Sequence, residues 1–405
     1  KRYDALNESA EENLAGIRVV KSFVNENFER QKFDKASEEL REDFTAAERL
    51  MALNSPFMNF TIYVLFVFIL YFGSYLIVSS QGTAFGVGQL SSLITYGFMM
   101  LMSLMMLSFV FAMIIIAEEG ARRICEVLLA TSTINNPENP LTEVTDGSID
   151  FENVGFSYSG PEGREALSGV DLHINSGEVI GIIGGTGSAK STLVQLIPRL
   201  YDVTAGSVSV GGHNVKDYDI DALRGAVAMV LQKNVLFSGT IKENLLWGNP
   251  DATDEEILEA ARLAQADSFV QTFPDKYETH IEQGGNNVSG GQKQRLCIAR
   301  ALLRRPKVLI LDDSTSAVDT KTDSLIRSGL KDFLPDTTKI IIAQRTSSIE
   351  ESDKIIVLDN GRVNAIGTHE ELLKDNPIYR EVYFSQNKQS VDENQSQEGE
   401  VTSHE

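Results

Sequence analysis

Between residues 50 and 117 there is no Asp, Glu, Lys, Arg or His. A water-soluble domain rarely goes so far without charge, because its surface elements need polar side chains facing water. The run divides at Gln81-Gly82-Thr83-Ala84-Phe85-Gly86-Val87-Gly88, a glycine-bearing turn region, which leaves apolar segments at 57–79 and 93–117. A bilayer core of about 30 Å takes about 20 helical residues, so each segment is long enough to span. Neither shows the polar stripe of a helix packed on a soluble core. The expectation is a hairpin of two membrane-spanning helices in contact with a lipid bilayer.

The flanks set the orientation. Arg18, Lys21, Arg30, Lys32, Lys35, Arg41 and Arg49 precede the first segment, Arg122 and Arg123 follow the second, and the connecting loop has no basic residue. Both ends are therefore expected in the cytoplasm. Met99, Met100, Met102, Met105, Met106 and Met113 crowd the second segment, as packing filler or as a pliable surface for apolar substrates. Residues 1–49, rich in Glu, Lys and Ala, predict long helices outside the bilayer. Within them, residues 12–23 form an amphipathic stretch bent at Gly16. A formal charge of −21 and a pI near 4.7 exclude a nucleic-acid partner held by bulk electrostatics. Cys125 and Cys297 give neither a disulfide framework nor a zinc spacing, which suits a reducing compartment. The chain opens at Lys1 without Met or signal peptide and reads as a fragment that has lost its beginning.

Beyond the hairpin the pattern changes. Asn135-Asn136-Pro137-Glu138-Asn139-Pro140 is a turn-rich linker, and from Ser148 to about Ser385 strand and helix signals alternate, as in an α/β domain. Val179–Ile183 reads as a buried strand. It runs into Gly184, Gly185, Thr186, Gly187, Ser188, Ala189, Lys190, Ser191 and Thr192, with a helix expected just after Thr192. Strand, glycine loop and helix is the context in which backbone N–H groups and a helix N-terminus hold phosphates. Lys190 would reach the β- and γ-phosphates, and Ser191 would bind magnesium. Ala189 stands where the pattern G-x-x-x-x-G-K-[ST] has its second glycine, and its methyl strains the backbone if φ is positive there. Val308-Leu309-Ile310-Leu311 is an aliphatic strand that ends in Asp312, a carboxylate placed to hold magnesium. Between the two, Ser289, Gly290, Gly291 and Gln292 open a basic helix. They read as an anion site or as a plain helix cap.

Taken together these strings resemble the ATP-binding-cassette (ABC) transporter family over about residues 1–385. Val288–Gln292 is similar to its signature motif, which meets the ATP held by a partner. The resemblance makes Gln232 the Q-loop glutamine, a magnesium ligand with Ser191 and Asp312, and Tyr158 the aromatic that stacks on adenine. It makes 316–319 the D-loop, with Asp319 as its acid, and residues 12–23 the second coupling helix. It implies ATP and Mg2+ as substrate and cofactor, and a second half-transporter subunit as partner. It also implies an unidentified transported substrate and a cell-membrane location with the ATP-binding domain in the cytoplasm. The implied fold is an α-helical transmembrane domain, here the last two of six spans, followed by an α/β P-loop cassette. The expected segments are 1–125 membrane domain, 126–147 linker, 148–386 cassette and 387–405 disordered acidic tail.

Two further positions depart from the family pattern. The family carries Glu where this chain has Asp313, and a switch histidine where it has Gln344. Asp313 is one methylene shorter, about 1.5 Å, a displacement that can cost roughly 100-fold in rate. Gln344 can hydrogen-bond a phosphate but carries neither a proton nor a positive charge. With Ala189, three departures fall in one site while the signature is intact. That pattern resembles the degenerate-site subunit of heterodimeric bacterial multidrug-type exporters, whose own site hydrolyses ATP slowly. A homodimeric exporter with two active sites, and a nucleotide-gated channel, remain the alternatives.

Overall fold

The computed structural model describes residues 2–81, 83–313 and 318–386, with the backbone alone for Asn54 and Thr320. Ser316 and Ala317 of the expected D-loop, and the expected acidic tail 387–405, lie outside the described residues. The chain divides into two compact units, Lys1–Thr131 and Ser132–Glu405.

The first unit is helical: α1 (Arg2–Ala15), α2 (Ile17–Ser22), α3 (Glu26–Ser79) and α4 (Val87–Leu128). The bend expected at Gly16 is where α1 gives way to α2, as glycine's weak helix preference suggests. The expected spans turn out to be parts of longer helices. At 1.5 Å per residue, the 54 residues of α3 cover about 80 Å and the 42 of α4 about 63 Å. Each therefore runs well past a bilayer core. Pro56 lies inside α3 without ending it. Almost none of either apolar stretch is buried, so lipid or further protein must cover them. The two helices meet at small residues: a Cβ added to Gly73 would stand 2.4 Å from the Leu90 Cδ1, and one added to Gly97 3.4 Å from the Phe66 ring. The charged half of α3 pairs with α1 through Arg2–Glu39, Arg2–Asp43 and Lys32–Glu12. These exposed pairs are screened by solvent and add little to stability.

The second unit holds two main sheets. In chain order the strands are β1 (Ile149–Phe156), β2 (Leu167–Ile174), β3 (Val179–Gly184), β4 (Ala205–Val210), β5 (His213–Asn214), β6 (Val227–Val230), β7 (Gly239–Thr240), β8 (His280–Ile281), β9 (Val308–Asp312), β10 (Thr338–Ile342), β11 (Lys354–Asp359) and β12 (Arg362–Gly367). Four form an antiparallel sheet, β2-β1-β4-β5. Six form the central sheet, β12-β11-β3-β10-β9-β6, parallel except for β12. Strand alternation splits the core between its faces. Ile180, Ile182, Val308, Ile310, Ile340 and Ile342 pack toward the antiparallel sheet. Leu309, Leu311 and Ile341 pack in a second cluster with Leu296, Ile298 and Leu302 of the Gly290–Leu303 helix. With both faces covered, β9 and β10 are buried along their whole length, which is why Val308–Leu311 and Ile340–Ile342 read as continuous aliphatic runs.

Candidate functional site

Strand order assembles the site. In the central sheet β3, β10, β9 and β6 are neighbours and parallel, so their C-terminal ends share one edge. That edge delivers Gly184 from β3, Gln344 from beyond β10, Asp312 from the end of β9 with Asp313 just past it, and Gln232 from beyond β6. Such an edge is where open parallel sheets bind ligands.

After Gly184 the chain turns through Gly185, Thr186, Gly187 and Ser188 into α5 (Lys190–Gln195). Gly184 is obligatory, since a Cβ there would lie 2.2 Å from the Leu358 carbonyl oxygen; Gly187 takes φ +83°. The helix begins at Lys190, not after Thr192 as the apolar pattern suggested. A helix start is set by cap geometry and needs no apolar side chain in its first turn. Lys190, Ser191 and Thr192 thus form that turn, with their N–H groups on its open end. Ala189 is the residue before it, at φ 68° and ψ 26°, in the left-handed region. The strain expected for a side chain at this position is therefore present, and costs about 1 kcal/mol.

The Lys190 ammonium folds over the loop. It donates to the carbonyls of Gly184 and Gly185, both at 2.8 Å, and to the Ser188 hydroxyl at 3.4 Å. Burial lowers its proton affinity, and Asp312 and Asp313 act in the opposite sense. The Tyr158 hydroxyl lies 3.0 Å from that of Thr192, and its ring packs edge-on against Phe156 and Tyr201 while staying 57% exposed.

Asp312 and Asp313 are both buried. Burial pushes the Asp312 carboxyl above its ordinary range, a hydrogen bond from Ser191 pulls it down, and the charge of Asp313 pushes it up again. Burial likewise raises Asp313, against hydrogen bonds from Gln232 and Gln344. Those bonds are geometric facts: Gln344 Nε2 donates to Asp313 Oδ2 at 2.7 Å, and Gln232 Nε2 to the same oxygen at 3.3 Å. Because β10 and β6 flank β9, the two amides reach Asp313 from opposite sides. Asp313 itself sits at φ 47°.

Among the described residues no cluster of three or more His, Cys, Asp or Glu gathers. The donors at hand are two adjacent carboxylates, a serine hydroxyl and an amide. That sparse oxygen set fits magnesium, which takes one or two carboxylates and completes its shell with water and phosphate oxygens. Burial holds both acids above the ordinary carboxylate range, and a divalent cation beside them would offset that cost.

Ser289 caps the Gly290–Leu303 helix. Its hydroxyl accepts from the Gln292 N–H at 3.3 Å, and the Gln292 side chain accepts from the Ser289 N–H at 3.0 Å. The plain reading of this string, a helix cap, is thus realised as a full capping box. Asp319 also caps a helix, accepting from the Thr322 N–H at 3.0 Å. Two residues that the sequence did not single out join the site. Gln294 donates to the Asp313 carbonyl at 3.3 Å, which ties the helix behind Ser289 to the acid. Gln386 holds the loop after Gln344. A glutamine among basic residues, and another beside the acidic tail, carry no sequence signal of that kind.

Residues 167–316 match the family described as ABC transporter, and residues 1–105 match the ABC transporter transmembrane region. An uncharacterized ABC transporter ATP-binding protein of Mycobacterium tuberculosis is 40% identical over 388 residues, 95% of this chain and 66% of the relative. One of Bacillus subtilis is 37% identical over 384 residues, 95% of this chain and 65% of the relative. The chain thus spans about two thirds of the length of these curated relatives. The solved structure of a bacterial Atm1-family ABC exporter with ATP bound superposes with a TM-score of 0.86 at 30% identity, over 95% of this chain and 68% of that one.

Proposed function

This chain belongs to the ABC transporter family, and from that premise we propose that it is part of one half of a dimeric exporter, driven by ATP at the cassette interface. The phosphate loop from Gly184 to Thr192 holds the ATP phosphates, and Tyr158 lies against the adenine. Asp312, Ser191 and Gln232 hold Mg2+, which neutralises phosphate charge in the transition state. Ser289, Gly290, Gly291 and Gln292 complete the ATP site of the partner, with Asp319 at the same interface. The α3–α4 hairpin lies in the cell membrane, and the cassette lies in the cytoplasm.

The finer part of the proposal is asymmetry. This chain's own site keeps its ATP and cleaves it slowly, and a non-identical partner supplies the Walker glutamate and switch histidine for the fast site. The observation that carries this is the Asp313–Gln344 pair. Asp313 is one methylene shorter than Glu and spends one oxygen on two amides, neither of which can take up a proton. The test is ATPase activity of the reconstituted full-length pair. Changing the partner's glutamate to Gln should nearly abolish turnover, and Asp313→Asn should change it by less than about 3-fold. Equal losses would reject the asymmetry. Brisk hydrolysis by this subunit alone, full length, would favour a homodimer with two working sites.

A further inference from the structure

Gln386 lies 42 residues beyond Gln344, yet its side-chain amide closes on the loop that carries Gln344. Its Nε2 donates to the Gln344 carbonyl at 2.7 Å. Its Oε1 accepts from the Thr346 N–H at 2.9 Å and from the Thr346 hydroxyl at 3.1 Å. One amide therefore grips both ends of a three-residue segment, and each of its polar atoms is used in the sense its chemistry requires.

The helix that delivers this amide is anchored. Residues 377–386 are helical. The Asn376 side chain accepts from the Tyr379 N–H at 2.9 Å near its start. Tyr379 is fully buried, and its hydroxyl lies 2.7 Å from His369 Nδ1. Val382 packs against the same core. Tyr379, Val382 and Gln386 follow at spacings of three and four, so they share one face of the helix. The loop is also held elsewhere: the Ser348 hydroxyl donates to the buried Asp323 at 3.0 Å.

We propose that Gln386 is a positioning residue for the ATP site, fixing the backbone at Gln344 and Thr346 and thereby the aim of the Gln344 amide. The inference rests on the reading of this pocket as an ATP site. It places the end of the helix at 377–386 in control of the residue that stands where the family resemblance expects a histidine.

The measurement is single-turnover cleavage of ATP bound at this chain's own site, in the full-length transporter, with any Walker glutamate of the partner changed to Gln. Gln386→Ala should slow cleavage about 3- to 10-fold while the amount of bound Mg-ATP stays the same. In a Gln344→Ala background the same change should have less than about a 2-fold effect, because the residue acts through Gln344. Gln386→Met keeps the length without the amide and serves if the alanine variant fails to fold. Equal losses in both backgrounds, or wild-type cleavage by Gln386→Met, would overturn the proposal. Hydrogen exchange at the Thr346 amide in nucleotide-free protein gives a second readout. It should accelerate in Gln386→Met, and unchanged exchange would also overturn the proposal. If wild type failed to bind Mg-ATP while exchange accelerated, the clamp would stand as a contact. The ATP-site reading, and the positioning role with it, would fall.

Discussion

Gln344 donates to Asp313 at 2.7 Å, and this bond joins two positions that both differ from the family pattern. The acid is held by the side chain that stands where the family resemblance expects a histidine. Restoring both partners should therefore matter more than restoring one. Asp313→Glu together with Gln344→His is expected to raise cleavage at this site by roughly 10- to 100-fold, with each single change giving less. Single-turnover measurement on the full-length transporter checks this, and additive single effects would mean that the pair does not act as a unit.

Ala189 at φ 68° carries backbone strain that glycine would not. Ala189→Gly is expected to stabilise the cassette by about 1 kcal/mol, or ~2–4 °C in Tm for a domain of this size. A Tm unchanged or lowered, read by scanning calorimetry without nucleotide, would show that the loop relaxes around alanine.

Lys190 spends its ammonium on the Gly184 and Gly185 carbonyls, at 2.8 Å each. Those groups line the cradle expected to hold phosphate. Lys190→Ala should weaken Mg-ATP retention by roughly 10- to 100-fold, the effect of losing one or two charged hydrogen bonds. It should lower the maximal rate of the pair much less. A rate collapse with retention intact would place Lys190 in the fast chemistry instead.

Burial raises the proton affinity of Asp313, so the folded chain holds that proton more tightly than the unfolded chain. The sign follows: its contribution to stability falls as pH rises from the ordinary value of 3.8 through the folded value, and is level beyond. Burial disfavours the charged form of both Asp312 and Asp313, a cost that magnesium would offset. Asp313→Asn keeps an acceptor for Gln344 and removes one charge. It should raise the Tm of nucleotide-free protein at pH 7, with the gain shrinking toward pH 4. A gain that is independent of pH would assign the effect to packing.

Much of this was legible beforehand where chemistry is local. The charge-free run required apolar helices, the glycine loop required a strand before and a helix after, and the aliphatic runs required strands covered on both faces. The start of α5 was misplaced by three residues because cap geometry, not apolar content, begins a helix. Ser289–Gln292 read as either an anion site or a cap, and the capping box shows the second without excluding the first.

The sequence by itself determined the kinds of element, and the glycine loop and the two acids at the end of β9 as candidates, because backbone propensity, period and charge act over a few residues. Only the tertiary structure decided which groups meet. Asp313 is gripped by Gln232 and Gln344 because β6 and β10 happen to flank β9. Gln386 reaches Thr346 because a buried tyrosine anchors its helix. Strand order and helix docking bring together residues tens of positions apart, and no local pattern encodes that adjacency.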